Sequence, residues 1–144
     1  MLKFSLAATS ALAFAMLAMA PAFAEETKFM AMLSAAEEVP PTSSGGTGTA
    51  NVTWNSETKE LSWTIDFAGL SGPAVAAHFH GPADPGANAG PVVTIEDLES
   101  PSEGKAALTD EQAADLAAGK WYVNLHTEAS PDGEIRGQVI EGSM

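Results

Sequence analysis

Apolar and polar residues alternate most regularly from Glu60 to Ala68, where Leu61, Trp63, Ile65 and Phe67 occupy every second position. Successive side chains of a β-strand point to opposite faces, so this period of two predicts a strand with one buried and one solvated face. Other short apolar and β-branched stretches, closed by Gly, Pro or polar turn residues, also predict strands. They cover residues 28–33, 49–54, 74–80, 91–95, 120–127 and 134–140, with a brief pairing segment at 105–108.

One stretch has the pattern of a helix. Thr109 can cap a helix N-terminus while Gln112 reaches back to it, as in a capping box. The helix is predicted from Asp110 to Ala118, and Gly119 suits the residue after its end. Residues 34–41 contain two prolines and are predicted to form an edge or crossing segment. Many short strands with Gly and Pro turns predict an all-β fold, an antiparallel β-sandwich or barrel of Greek-key-like topology with one short helix.

The first 24 residues have the pattern of a cleaved signal peptide. Lys3 provides a positive start, residues 4–19 form an apolar run, and Ala22-Phe23-Ala24 is an A-x-A cleavage motif. The run is short for a membrane-spanning helix, so an uncleaved anchor is the weaker interpretation. We therefore expect a signal peptide at 1–24 and a single domain at 25–144, periplasmic or secreted, with no membrane span after cleavage.

The charge balance narrows the possible partners. Beyond residue 24 the chain has five Lys and Arg against 19 Asp and Glu, a formal charge of −14. Such a surface repels phosphate backbones, so we expect no nucleic-acid partner. The chain contains no cysteine, which excludes disulfides, thiolate metal sites and thiol catalysis.

All three histidines of the chain fall on the polar faces of predicted strands. His78 and His80 share a face because they are two residues apart, and His126 lies opposite the apolar residues of another strand. Neutral imidazoles that converge can bind zinc or copper. We expect one copper or zinc ion on these three residues. The alternative is that they are ordinary polar residues of a strand surface.

The last two strands are expected to form a hairpin whose register follows from its apolar face. That register sets His126 opposite Arg136 and Asn124 opposite Gln138, and a different loop would shift it by two residues. The Arg136 guanidinium would then lie near the histidines, where it could hold an anion or pair with an acidic residue. The possible acidic partners are Glu134, Glu128 and Asp84.

The residues expected around the metal ligands are Arg136, Asn124 and Asp84, which would orient the ligands or bind an anion. Two other acidic positions are interpreted as solvated charges and not as acid–base groups. These are Asp66, on the polar face of its strand, and the Glu37-Glu38 pair.

Specific motifs add a family resemblance: the chain resembles the CHRD domain, the module named for chordin. The motifs follow the family's order and cover nearly all of 29–140. They are Leu33-Ser34-Ala35-Ala36-Glu37-Glu38-Val39-Pro40-Pro41, Ala77-His78-Phe79-His80-Gly81, Leu116 with Gly119, Trp121-Tyr122-Val123-Asn124-Leu125-His126-Thr127, and Pro131-Asp132-Gly133-Glu134-Ile135-Arg136-Gly137-Gln138. The resemblance implies an extracytoplasmic β-sandwich like those found alone in many bacterial secreted proteins, and it does not imply an enzyme.

A weaker resemblance is to copper–zinc superoxide dismutase. Its His-x-His strand is similar to His78-Phe79-His80, its zinc loop to Asn88-Ala89-Gly90-Pro91, and its late arginine to Arg136. The chain departs from that enzyme because it has no fourth histidine, no histidine-rich zinc subsite after Gly81 and no cysteine. The resemblance therefore favours a single three-histidine site and puts dismutase activity in doubt.

Three functions are compatible with these features. The first is an exported metal-binding module with copper or zinc. The second is an interaction module that binds protein or glycan without a metal. The third is a redox or hydrolytic enzyme that uses an open metal position. The sequence favours the first two, and it contains no recognisable set of residues for catalysis without a metal.

Overall fold

The computed structural model describes residues 25–144, so the predicted signal peptide lies outside the described residues. Within these residues the chain forms eight β-strands, one α-helix and one short 3-10 helix, at Ala35–Glu37. The strands are β1 (Glu26–Ser34), β2 (Thr47–Asn55), β3 (Glu60–Ala68), β4 (Ala74–His80), β5 (Pro91–Thr94), β6 (Ser102–Ala107), β7 (Trp121–Thr127) and β8 (Ile135–Glu141), and the helix is α1 (Asp110–Ala117).

All eight strands belong to one antiparallel sheet, in the order β5-β4-β7-β8-β1-β2-β3-β6. This sheet is rolled up. Trp63 of β3 and Phe79 of β4 are separated by four strands along the sheet, yet their ring centroids are only 5.2 Å apart. The rolled sheet encloses one core and confirms the predicted all-β, barrel-like fold with a single short helix.

The alternation that predicts β3 is confirmed by its burial. Leu61, Trp63 and Ile65 are buried in the core, and Phe67 packs against it half-buried. Asp66 is exposed on the other face, as predicted for a solvated charge. The alternation fails at Val75 of β4. In the sequence this residue shares a face with Ala77 and Phe79 of the core, but in the structure it is 55% exposed. A bulge at this point in the pairing of β4 with β7 turns the residue outwards.

The helix prediction is confirmed at its start. The Thr109 hydroxyl accepts from the Gln112 backbone N–H, and the Gln112 side chain accepts from the Thr109 backbone N–H. The helix ends at Ala117, one residue earlier than predicted, and Gly119 follows with a φ of 72°. Only the brief segment predicted at 105–108 is clearly misplaced, because its strand begins at Ser102.

The predicted hairpin of β7 and β8 forms, but its register is wrong by two residues. Arg136 lies opposite Asn124 and not opposite His126, and Gln138 lies opposite Tyr122. The connecting loop is longer than predicted, because Thr127 and Ser130 close a turn and Glu134 N–H already bonds the carbonyl of Leu125. A shift of two preserves which face each side chain takes, so the apolar faces still coincide.

Candidate metal site

Adjacent strands bring the three histidines together on the face of the sheet that points away from the core. In the pairing of β4 with β7, His78 lies opposite Asn124, His80 opposite Tyr122, and Ala76 opposite His126. Side chains on one face of such a pair reach direct and diagonal neighbours. The three imidazoles therefore occupy a single patch, as the strand patterns predict.

The spacing of the ring nitrogens suits a metal ion. One ligand atom from each histidine can be chosen so that all three lie within 4.8 Å of one another. His78 Nδ1 and His126 Nε2 are 3.3 Å apart. Two nitrogens bound to one zinc ion at about 2.0–2.1 Å and at a tetrahedral angle are about 3.3 Å apart. This pair therefore already has the separation of two tetrahedral ligands.

A backbone contact fixes the tautomer of His126. Its Nδ1 lies 2.8 Å from the carbonyl of Pro131, which can only accept a hydrogen bond. A neutral His126 therefore carries its proton on Nδ1 and presents the Nε2 lone pair towards His78. Such a contact to the second ring nitrogen is the usual way in which proteins orient a metal-binding histidine.

His80 has protein partners at both nitrogens. Its Nδ1 lies 2.9 Å from the carbonyl of Ala89, and its Nε2 lies 2.9 Å from the side-chain Oδ1 of Asn124. Both partners are oxygens, while a neutral imidazole has only one N–H to donate. The nitrogen facing Asn124 is the one that a metal could use, since the other is held by the backbone.

Burial and mutual repulsion favour the neutral form of His78 and His80. Desolvation lowers the pKa of His78, and the nearby His126 and His80 lower it further. Desolvation also lowers the pKa of His80, against hydrogen bonds from Ala89 and Asn124 that raise it. Neutral imidazole is the form that binds metal, so this patch retains ligands at neutral pH.

The face that carries the histidines is covered, although the sequence predicts a solvated face. His80, Asn124 and His126 are all at most 9% exposed, and Arg136 is 2% exposed. The loop at 81–90 lies over the sheet and is tied to it by side chains from β4, β7 and β8. The strand pattern cannot detect such a cover because it reports only alternation along each strand.

Arg136 holds this loop against the sheet with two hydrogen bonds. Its guanidinium donates from Nη1 to Asn88 Oδ1 at 2.9 Å and from Nη2 to the Ala87 carbonyl at 2.6 Å. It also lies 3.4 Å above the Tyr122 ring, and the same ring stacks on His80 at 4.7 Å. None of the predicted acidic partners pairs with it among the described residues, and its donors face the loop and not an open anion site.

Asn124 and Asp84, the other two residues predicted to surround the metal ligands, lie in different environments. Asn124 is 3% exposed and contacts His80 directly, as expected for a residue that orients a ligand. Asp84 pairs with Lys120 at 2.5 Å, and its side chain is 70% exposed. No hydrogen bond joins Asp84 to a histidine in residues 25–144, so the structure places it in the surface of the loop.

Glu38 is a polar residue of this region that the sequence prediction misses, because it treats the Glu37-Glu38 pair as solvated. Glu37 is exposed, but Glu38 is 6% exposed, and its Oε1 is buried without a hydrogen-bond partner among the described residues. Burial raises the pKa of Glu38 to about 7, although the charge of Arg136 and the nearby Asn124 amide lower it. The strand alternation does not extend to this point, because Glu37 ends the 3-10 helix and Glu38 is the extended residue that follows it.

Gly133 provides the space in which Glu38 meets Asn124. A Cβ at this position would lie 2.5 Å from Glu38 Oε1 and 2.7 Å from Asn124 Nδ2, and the φ of Gly133 is 123°. Both the contact distances and the backbone conformation exclude a larger residue without rearrangement. The glycine of the Pro131-Asp132-Gly133 motif was the available sequence signal for a close approach here.

Glu134 is a second buried carboxylate that the sequence leaves unexplained. It is fully buried and accepts hydrogen bonds from the Ser44 and Thr127 hydroxyls and from the backbone N–H and hydroxyl of Ser71. Burial alone would raise the pKa of Glu134, but these hydrogen bonds outweigh it and lower the pKa to about 2. The ionised carboxylate of Glu134, in the loop between β7 and β8, therefore holds the loops that contain Ser44 and Ser71 next to the site.

Comparison with known proteins agrees with the motifs. The family model of the CHRD domain matches residues 29–139, which is most of the chain. No curated protein and no solved structure gives a significant match. In the part of the chain that the structure describes, no helix is long and apolar enough to cross a membrane.

Proposed function

The chain belongs to the CHRD-domain family, and we propose that it is an exported module that binds one copper or zinc ion through His78, His80 and His126. CHRD domains are typically extracellular modules. Within that frame the proposal rests on one observation, the convergence of three imidazoles to within 4.8 Å on adjacent strands. The sequence contains no other histidine, so every residue of this type belongs to the same patch.

The donor set supports a borderline metal such as zinc or copper. Imidazole nitrogen suits both ions, and the patch offers three imidazole nitrogens with no cysteine in the chain to provide softer donors. His78 is only half-buried, so a water or small ligand can complete the coordination from its side. The acidic surface attracts cations towards the protein.

Calorimetric titration of tag-free protein with Zn²⁺, and with Cu²⁺ in a separate experiment, tests this proposal. We expect uptake of one ion per chain at neutral pH, because the imidazoles there are neutral. Affinity should fall as the pH drops below the ordinary histidine pKa of about 6.5, where protons compete with the metal. Burial lowers the pKa of His78 and His80, so the fall should begin at a more acidic pH than for free histidine. Substoichiometric or pH-independent uptake would contradict the proposal.

Export is the second part of the proposal. The positive start, apolar run and A-x-A motif in residues 1–24 support cleavage before Glu25. Intact-mass measurement of the protein recovered from the export compartment should therefore give a chain that starts at Glu25. A mass that retains residues 1–24 would mean an anchored protein.

A module that binds a protein or glycan is the alternative, and one surface feature favours it. A groove of about 770 Å³ crosses β1, β2 and β3, and Met32, 67% exposed, and Phe67 contribute to its lining. In this alternative the histidines act only through hydrogen bonds within the protein. The titration above separates the two, since only the metal-binding module takes up an ion.

A further inference from the structure

Tyr122 of β7 lies directly opposite His80 of β4 in the pairing of these two strands. Its ring is stacked on the His80 imidazole, with an interplanar angle of 2° and 4.7 Å between the ring centroids. Both side chains are buried, so the stack has little room around it. A rotated imidazole would enter the volume of the tyrosine ring, and Tyr122 therefore limits the plane that the His80 ring can take.

The Tyr122 hydroxyl acts on the same histidine through Ala89. It donates to the Ala89 carbonyl at 3.0 Å and accepts from the Ala89 backbone N–H at 3.1 Å. That carbonyl also lies 2.9 Å from His80 Nδ1, so the two side chains share one acceptor. A carbonyl oxygen has two lone pairs and can accept from both. The hydroxyl thus holds in place the backbone group that contacts the Nδ1 side of His80.

Arg136 of β8 supports the other face of the Tyr122 ring. Its guanidinium carbon lies 3.4 Å from the ring centroid. Since β7 lies between β4 and β8, the imidazole and the guanidinium reach the ring from opposite sides. Arg136 is itself held by its hydrogen bonds to Asn88 and Ala87. The Tyr122 ring, 3% exposed and packed on both faces, is therefore a rigid support.

We propose that Tyr122 positions His80 for the metal ion. Its ring sets the plane of the imidazole, and its hydroxyl holds the Ala89 carbonyl that occupies Nδ1, so that Nε2 is the nitrogen left for the ion. Tyr122 is a positioning residue and not a ligand, because it acts only through His80. The inference rests on the proposed function, since it concerns one ligand of that site.

The other two histidines are oriented without Tyr122. His126 is held by the Pro131 carbonyl at Nδ1, and its Nε2 lies 3.3 Å from His78 Nδ1. Among residues 25–144, the Tyr122 ring stacks on no histidine other than His80. A change at Tyr122 should therefore disturb one ligand of the three, and this makes its effect on metal binding separable from a general loss of structure.

The Zn²⁺ affinity of Tyr122 variants, measured by competition with a chelator at neutral pH, tests the proposal. Tyr122→Phe keeps the ring but loses both bonds to Ala89, and it should bind zinc about tenfold more weakly than wild type. Tyr122→Leu also loses the stacked ring and should bind about a hundredfold more weakly. Gln138→Ala is the matched control, because Gln138 lies beside Tyr122 and holds the same loop at the Ala83 carbonyl. It should bind zinc as tightly as wild type.

A double-mutant cycle shows whether Tyr122 acts through His80. In a His80→Ala background the ligand that Tyr122 positions is gone, so neither Tyr122→Phe nor Tyr122→Leu should weaken zinc binding further. A loss in that background as large as in the wild-type background would overturn the inference, because Tyr122 would then act on the fold as a whole. Wild-type affinity in both single variants would overturn it as well. If Tyr122→Leu does not fold, the cycle with Tyr122→Phe gives the answer.

NMR of the metal-free protein gives a readout that does not depend on metal binding. In wild type the His80 ring protons should be shifted by the stacked Tyr122 ring and should show nuclear Overhauser contacts with Ala89. Tyr122→Phe should keep the shift, and Tyr122→Leu should lose both the shift and the contacts. If His80 kept its contacts with Ala89 in Tyr122→Leu, the inference would be overturned. If wild type binds no zinc, the proposed function fails, and these spectra still decide whether Tyr122 holds His80.

Discussion

Replacing His78 by alanine is expected to weaken zinc or copper binding by at least about a hundredfold, because it removes one of three ligands. Disturbing residues that only support a ligand already costs ten- to a hundredfold in metal affinity. His78 is half-buried, so its loss should change the stability of the metal-free protein little. Calorimetry and thermal unfolding measure the two effects separately, and metal should raise the melting temperature of wild type but not of the variant.

His126→Ala provides the matched comparison. It should lose the same affinity, but it should also destabilise the metal-free protein by about 1–2 kcal/mol. The reason is that His126 is buried and donates to the Pro131 carbonyl, which would lose its partner. If both variants bound metal as tightly as wild type, the histidines would not be its ligands.

The second large effect concerns Glu134. Glu134→Ala is expected to destabilise the fold by about 3 kcal/mol, because the hydroxyl of buried Thr127 would lose its acceptor, and half-buried Ser44 and exposed Ser71 would lose their bonds to a charged group. Chemical denaturation measures the change in free energy of unfolding. Glu128→Ala, at an exposed position of the same hairpin loop, should stay within about 0.5 kcal/mol of wild type.

The pH dependence of the free energy of unfolding tests whether the charge of Glu134 causes this stabilisation. The folded-state pKa of Glu134, about 2, lies below its ordinary value of 4.5. The ionised carboxylate therefore stabilises the folded state at pH values above 4.5. That contribution is lost as the pH falls from about 4.5 towards 2. Glu134→Gln keeps the shape and should lose this part of the pH dependence. If Glu134→Ala were as stable as wild type at pH 7, the carboxylate would not fasten the loops.

The faces of the strands could be predicted from the sequence because alternation is a property of each strand alone. The core positions of β3 and the placement of His78, His80 and His126 opposite the apolar face follow from it. The register of the last hairpin could be predicted only to within two residues. Its loop is set by hydrogen bonds at Thr127, Ser130 and Glu134, which alternation does not report.

The cover over the site could not be predicted, because it depends on contacts between distant parts of the chain. Arg136 and Asn88 are 48 positions apart, and no strand pattern links a residue of β8 with one of the loop at 81–90. The contrast between exposed Glu37 and buried Glu38 likewise depends on where the 3-10 turn meets β8. These long-range contacts turn a face expected to be solvated into a buried polar layer.

X-ray absorption at the metal edge of tag-free protein loaded with zinc tests the central claim most directly. The account predicts one ion per chain with three imidazole nitrogens at about 2.0–2.1 Å and one further light ligand. His80→Ala should reduce the imidazole count to two. A protein that retains no zinc after dialysis at neutral pH, or one whose zinc has only oxygen ligands, would contradict it.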